Sequence, residues 1–296
     1  MRIAPRHVLA SIAAAAMATS AHSALVYSLA SDGTSLILFD SSTPGAVTVI
    51  GALSGAVTTL DGLDFRQADG NLYGYQAASS GIYRVDLGSG ATTLVSTSNA
   101  PVTTTLMGID FNPVVDRLRV VSVNDENRRI NVANGVALSD GALNYAVGDV
   151  NAGVSPNVRD AAYTNSDRNP ATGTTLFYID HVLNTLVSTT SPNAGTLNTV
   201  GALGVDTDEF LGFDIFTDLN GLNTAYASLR VSGVDGLYTI NLATGAASLI
   251  GAIGANRLDG LAVQVVPEPA SLALFGIAGL AAFGVRQRST AVAIKR

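Results

Sequence analysis

Apolar and polar positions alternate along most of the chain in short runs, and the runs end at clusters of Gly, Asn, Asp, Ser and Pro. A period of two bounded by turn residues predicts short strands with a buried face. The first runs are Leu25 to Ala30, Ser35 to Asp40 and Val47 to Leu53, punctuated by Ser31-Asp32-Gly33 and Ser42-Thr43-Pro44-Gly45. They lead to Leu60-Asp61-Gly62-Leu63-Asp64-Phe65, which recurs as Leu106 to Phe111, Leu211 to Ile215 and Leu258 to Val263. A degenerate copy is Asp160-Ala161-Ala162-Tyr163.

The recurrence has a period. Phe65 and Phe111 are 46 residues apart, as are Tyr27 and Tyr73, and later units stretch to 52. Ile50-Gly51-Ala52-Leu53, Val200-Gly201-Ala202-Leu203 and Ile250-Gly251-Ala252-Ile253 hold the same place in their units. Four short strands in such a period are the signature of a β-propeller, whose blades bury their faces against one another. The expected fold is all-β, with five blades in residues 24–266. The chain opens with three strands and ends with a lone motif strand, so Arg257 to Val265 is expected to complete the first blade beside Leu25 to Ala30, leaving no open edge. The third unit is the weakest. It runs through Arg117 to Val123 and Arg128 to Ala133, then a polar insertion, before Val158 to Thr164.

Composition adds a cellular address. Residues 1–23 read as a secretory signal peptide: Arg2 and Arg6, an apolar run from Val8 to Ala18, then small residues at the cleavage site. The chain has no cysteine, which excludes disulfides and thiolate chemistry. Between residues 24 and 266 there are ten Arg, no Lys and 22 acidic residues, a formal charge of −12. Such a body repels phosphate backbones, so no nucleic-acid partner is expected. Residues 267–296 hold Pro267-Glu268-Pro269, an apolar run over 270–285, and the basic residues Arg286, Arg288, Lys295 and Arg296. That run is expected to form a transmembrane helix whose positive flank stays cytoplasmic.

Two resemblances follow. Asp61-Gly62-Leu63-Asp64-Phe65, Leu72-Tyr73-Gly74, Ile82-Tyr83-Arg84-Val85-Asp86 and Met107-Gly108-Ile109-Asp110-Phe111 resemble the domain of unknown function 4394, which implies a propeller and assigns no activity. The tail resembles the PEP-CTERM sorting signal of Gram-negative bacteria. That resemblance implies cutting at the Pro-Glu-Pro by an exosortase-type enzyme, transient inner-membrane anchoring, and release to the cell surface or the extracellular matrix.

Candidate chemistry rests on acids. Asp61, Asp64, Asp110, Asp214 and Asp259 belong to the repeated motif. On innermost strands, Asp64, Asp110 and Asp214 would ring the channel, either as ligands for a cation or sugar or as acceptors for backbone N–H groups of the next blade. Loops on one face carry Asp32, Asp125, Glu126, Asp149, Asn151, Asp206, Asp208 and Glu209, of which Asp149, Asp206, Asp208 and Glu209 could supply oxygen ligands to calcium. No other cofactor is expected. The opposite face carries the Gly and Asn-Gly turns with Arg66, Arg117 and Arg168. His181 is the one histidine after the signal peptide, and no serine stands in a nucleophile turn to pair with it. The expectation is a non-catalytic binding or structural propeller associated with exopolysaccharide. Its rivals are a carboxylate-dependent polysaccharide-cleaving enzyme and a calcium-dependent adhesion module.

Overall fold

The computed structural model describes residues 23–30, 32–167 and 169–264. The signal peptide, Arg168, the Pro-Glu-Pro, the apolar run and the basic tail lie outside the described residues. Among those described, no helix is long and apolar enough to cross a membrane.

Five sheets each contain four antiparallel strands, ordered from the axis to the rim. Blade 1 is Asp259–Gln264, Leu25–Ala30, Ser35–Asp40 and Thr48–Ala52. Blade 2 is Gly62–Phe65, Leu72–Gln76, Gly81–Val85 and Ala91–Thr97, and blade 3 is Met107–Asn112, Arg117–Ser122, Asn127–Ile130 and Ala137–Ser139. Blade 4 is Val158–Tyr163, Leu176–Asp180, Thr185–Thr189 and Thr196–Ala202. Blade 5 is Thr207–Thr217, Asn223–Val231, Val234–Ile240 and Ala247–Ala252. Each inner strand touches the inner strand of the next blade, through to the first. The ring is closed as expected: Val26 pairs with Val263 and Tyr27 with Ala262, so the last strand completes the first blade.

Three features escaped the alternation pattern. Blade 3 has an outer strand, Ala137–Ser139, within the stretch read as a polar insertion. Asn144–Tyr145 and Ser54–Gly55 run parallel to the outer strands of blades 4 and 2. These pairings cover part of an exposed sheet edge, and elements of two or three residues are too short to show a period. Blade 5's inner strand is longer than the motif because it continues through a register shift between Thr207 and Leu211.

The core lies between blades rather than within them. Tyr27, Leu29 and Leu36 of blade 1 cluster with Leu63, Phe65 and Tyr83 of blade 2, and each of the other four interfaces has a cluster of its own. Tyr27 meets Phe65 edge-on at 5.4 Å, and Tyr73 meets Phe111 at 5.5 Å one blade further round. Such contacts add about 1 kcal/mol to burial. Near the axis, at two of the five inner strands, the approach is too close for a side chain. A Cβ on Gly108 would lie 2.4 Å from the Asp160 Cα, and one on Gly212 would lie 2.4 Å from the Gly260 carbonyl carbon.

Gly212→Val is therefore expected to destabilise the protein by roughly 3 kcal/mol or more, because the obstacle is backbone of the next blade. Gly45→Ala, whose nearest atom is 3.6 Å away, should cost little. Urea midpoints of the two variants measure the difference, and equal midpoints would contradict the tight axial packing.

Candidate functional site: the axial carboxylates and the cavity above them

An inner strand pairs on one side only, which leaves the backbone N–H groups of its other edge in need of acceptors. The motif supplies them from the preceding blade. Asp64 accepts from the Phe111 N–H at 2.8 Å, Asp110 from Tyr163 at 3.2 Å and Asp214 from Val263 at 2.6 Å. Counting back from Tyr163 puts Ala162, not Asp160, at the motif's aspartate position. Asp160 sits two residues earlier, where the other blades have glycine, and reaches Phe213 N–H at 2.8 Å. Blade 1 carries Ala262 at the motif position. Where the preceding blade carries alanine there, the N–H turns to its own residue's neighbour: Ile215 donates to Asp214 at 2.6 Å, and Phe65 to Asp64.

All four carboxylates are buried. Asp64, Asp110 and Asp214 each have an oxygen within 4.8 Å of the others, the one such three-ligand group among the described residues. Burial raises Asp64 and Asp110 well above the carboxylate range, and neighbouring aspartates add to it. Burial also pushes Asp160 up to about 8 and Asp214 to about 6. With protons retained, the cluster is a hydrogen-bonding hub; with protons lost, its geometry could hold a cation.

One mouth of the channel is bolted. Arg159, 3% exposed, projects from blade 4 and donates to the Glu209 carbonyl of the adjoining segment of blade 5 at 2.8 Å, to the Met107 carbonyl of blade 3, and to Asp259 of blade 1 at 2.5 Å. Burial raises Asp259 to about 6, against the pull of Arg159. Asp61 accepts from the Ala77 N–H at 2.7 Å. The other mouth opens into a cavity of about 620 Å³. Asp64 and Asp214 form its floor, and Arg66, Ser166, Asn169 and Gln264 stand on its walls.

The cavity is on the face that carries Arg66 and Arg117, opposite the acidic loops. In those loops Asp149 accepts from the Thr199 N–H and hydroxyl at 2.7 Å each, Asp206 from Asn184 at 2.9 Å, and Asp208 from the Phe210 N–H at 3.0 Å. Glu209 uses its carbonyl for Arg159. Asp149, Asp206, Asp208 and Glu209 do not form a three-ligand group like the axial one. His181 places Nδ1 3.0 Å from the Asn157 carbonyl. Neither Arg159, nor the role of Asp160 as an acceptor, nor the cavity was foreseen from the sequence.

A closed five-bladed ring defines a β-propeller, here with a cavity at one mouth of its axial channel. Residues 35–262 match the domain of unknown function DUF4394, and the chain belongs to that family. Residues 265–289 match the PEP-CTERM protein-sorting motif, which marks an exported protein sorted by an exosortase. No curated protein matches the chain. Among solved structures, a catalytically inactive virginiamycin B lyase from Staphylococcus aureus is 13% identical, with 78% of this chain and 71% of that one covered and a TM-score of 0.41. A gluconolactonase from Xanthomonas campestris is 13% identical over 79% of this chain and 81% of its own, with a TM-score of 0.42. A protein from Lactobacillus plantarum is 12% identical over 81% of this chain and 99% of its own, also at 0.42. At these scores the likenesses carry no argument about activity.

The axial carboxylates predict a pH dependence. Well below pH 4, folded and unfolded chains both keep these protons. As pH rises, the unfolded chain loses them first, so stability falls until the folded-state carboxylates ionise too, at about 8 for Asp160. Urea midpoints should be lower at about pH 8 than at about pH 5. Asp160→Asn keeps an acceptor for Phe213 and is expected to flatten the decline by on the order of 1 kcal/mol or more. An unchanged slope in the variant would show that Asp160 is not the group responsible.

Proposed function

We propose that this chain is an exported, non-catalytic binding propeller. Residues 270–285 hold it at the inner membrane, and an exosortase-type enzyme cuts it at Pro267-Glu268-Pro269. It is then released to the cell surface or extracellular matrix, where the axial cavity takes up part of an exopolysaccharide. The carrying observation is that Gln264, on the cavity wall, immediately precedes the sorting motif at 265–289.

Residues 265–269 span at most about 18 Å when extended. While the tail is anchored, the cavity therefore faces the membrane at close range, and cutting exposes it. The acids nearest the cavity support binding over catalysis. Asp64 and Asp214 are buried acceptors for neighbouring strands, and burial raises both above the ordinary carboxylate range. Walls that combine the apolar Phe65, Leu219 and Val263 with the polar Arg66, Ser166 and Asn169 suit a sugar ring, which offers hydroxyls at its rim and C–H groups on its faces.

Two measurements test the reading. Pro267→Ala with Pro269→Ala is expected to leave the protein in the membrane fraction, and unchanged release would remove the sorting claim. Incubated with the producing cell's own polysaccharide, the released protein should bind it without generating new reducing ends. New ends that disappear when Asp206, Asp208 and Glu209 are replaced by Ala would make the protein a glycan-cleaving enzyme.

A further inference from the structure

One position of the repeat breaks its own rule. Across from the axial motif, the second strand of each blade carries Tyr27, Tyr73, Phe177 and Tyr226 in blades 1, 2, 4 and 5. Blade 3 carries Arg119 there, opposite Asp110 and 2% exposed. A buried guanidinium is costly where an aromatic ring suffices elsewhere. Beside it, between blades 3 and 4, lies a second cavity of about 170 Å³ lined by Arg117, Arg119, Arg129, Tyr163 and Asn193.

We propose that this cavity is a subsite for the carboxylate of an acidic sugar, a proposal that rests on the reading of the protein as a glycan-binding propeller. Three of the body's ten arginines meet here in a domain whose net charge is −12. Arg119 is fixed at the back. Its Nε donates to the Tyr163 hydroxyl at 3.2 Å, Nη1 to Asn127 at 2.7 Å and Asp140 at 2.6 Å, and Nη2 to Asn193 at 2.9 Å. Asp140 is shared with Arg129 at 2.7 and 2.9 Å, so one carboxylate pairs with two guanidinium groups while Arg117 stands beside them on the cavity wall.

Holding Arg119 does not require the other two cations. Arg117 spends Nη1 on the Val115 and Asp116 carbonyls, and Arg129 spends Nε and Nη2 on Asp140. Among the described residues this leaves the Arg117 Nε and Nη2 and the Arg129 Nη1 to meet an incoming oxyanion. Planar donors are the geometry that a carboxylate takes best.

The volume is below the roughly 300 Å³ of a pocket for a whole drug-sized ligand. It suits a charged substituent inserted from a larger chain. Both cavities open on the same face, and Asp116 joins them by bonding Arg66 of the axial wall at 2.5 and 2.8 Å. A glycan strand lying across this face would present a sugar ring to the axis and a carboxylate to blade 3.

The test is calorimetric titration of the full-length protein in detergent with three probes: a galacturonic acid trimer, its methyl ester and a sulfated glucose oligomer. Tighter binding of the trimer than of its ester is expected. The preference should fall about tenfold or more in Arg117→Ala and in Arg129→Gln, at unchanged melting temperature. Arg84→Ala, the same charge change on blade 2, should leave it intact. Stronger binding of the sulfated oligomer, lost in the same variants, would keep the anion subsite but overturn the carboxylate assignment. Equal binding of trimer and ester, or loss in Arg84→Ala alone, overturns the subsite yet leaves the glycan-binding reading standing. Failure of all three probes to bind, with the cell's own polysaccharide binding normally, overturns the subsite alone; failure with that polysaccharide too overturns both.

Discussion

The structure depends on satisfying backbone N–H groups at the axis, where five inner strands converge and each has a sheet partner on one side only. Carboxylates supplied by the preceding blade meet Phe111, Tyr163, Phe213 and Val263. This links the blades in order around the ring, beyond the apolar clusters between them. It also demands glycine at the points of closest approach, since any Cβ at Gly108 or Gly212 would occupy the next blade. In blades 3 and 5 one requirement thus explains both recurring letters of the motif, the Gly and the second Asp.

That solution concentrates acids in a buried space, and the electrostatic consequence follows. Four carboxylates crowd together, and burial favours their neutral forms. Arg159 offsets charge at one mouth and ties blades 3, 4 and 1 to the segment entering blade 5. The open mouth is left as a cavity with a carboxylic floor. A scaffold requirement therefore also lays the carboxylic floor of the axial cavity.

The two faces divide the work. The acidic loops spend their carboxylates locally, as Asp149 does on Thr199 and Asp206 on Asn184. The opposite face gathers the axial cavity, the arginine cavity and the start of the sorting segment. On the proposed reading, membrane tethering, processing and glycan contact share one side of the ring.

The sequence by itself determined the fold, because propeller blades repeat and the repetition survives in Leu60 to Phe65, Met107 to Phe111 and Leu258 to Val263. Closure was legible too, from the three strands at one end and the lone strand at the other. So was the role of Asp64, Asp110 and Asp214 as one of two alternatives, since equal places in a ring imply equal neighbours. Tertiary structure decided the rest. Asp160 and Arg159 act across the axis on residues 50 or more positions away, and no local period encodes such a distance. Arg119 was visible as a letter in the place of a tyrosine, but its meaning depends on Asp140, Asn193 and Tyr163, which only packing of blade 3 against blade 4 brings to it.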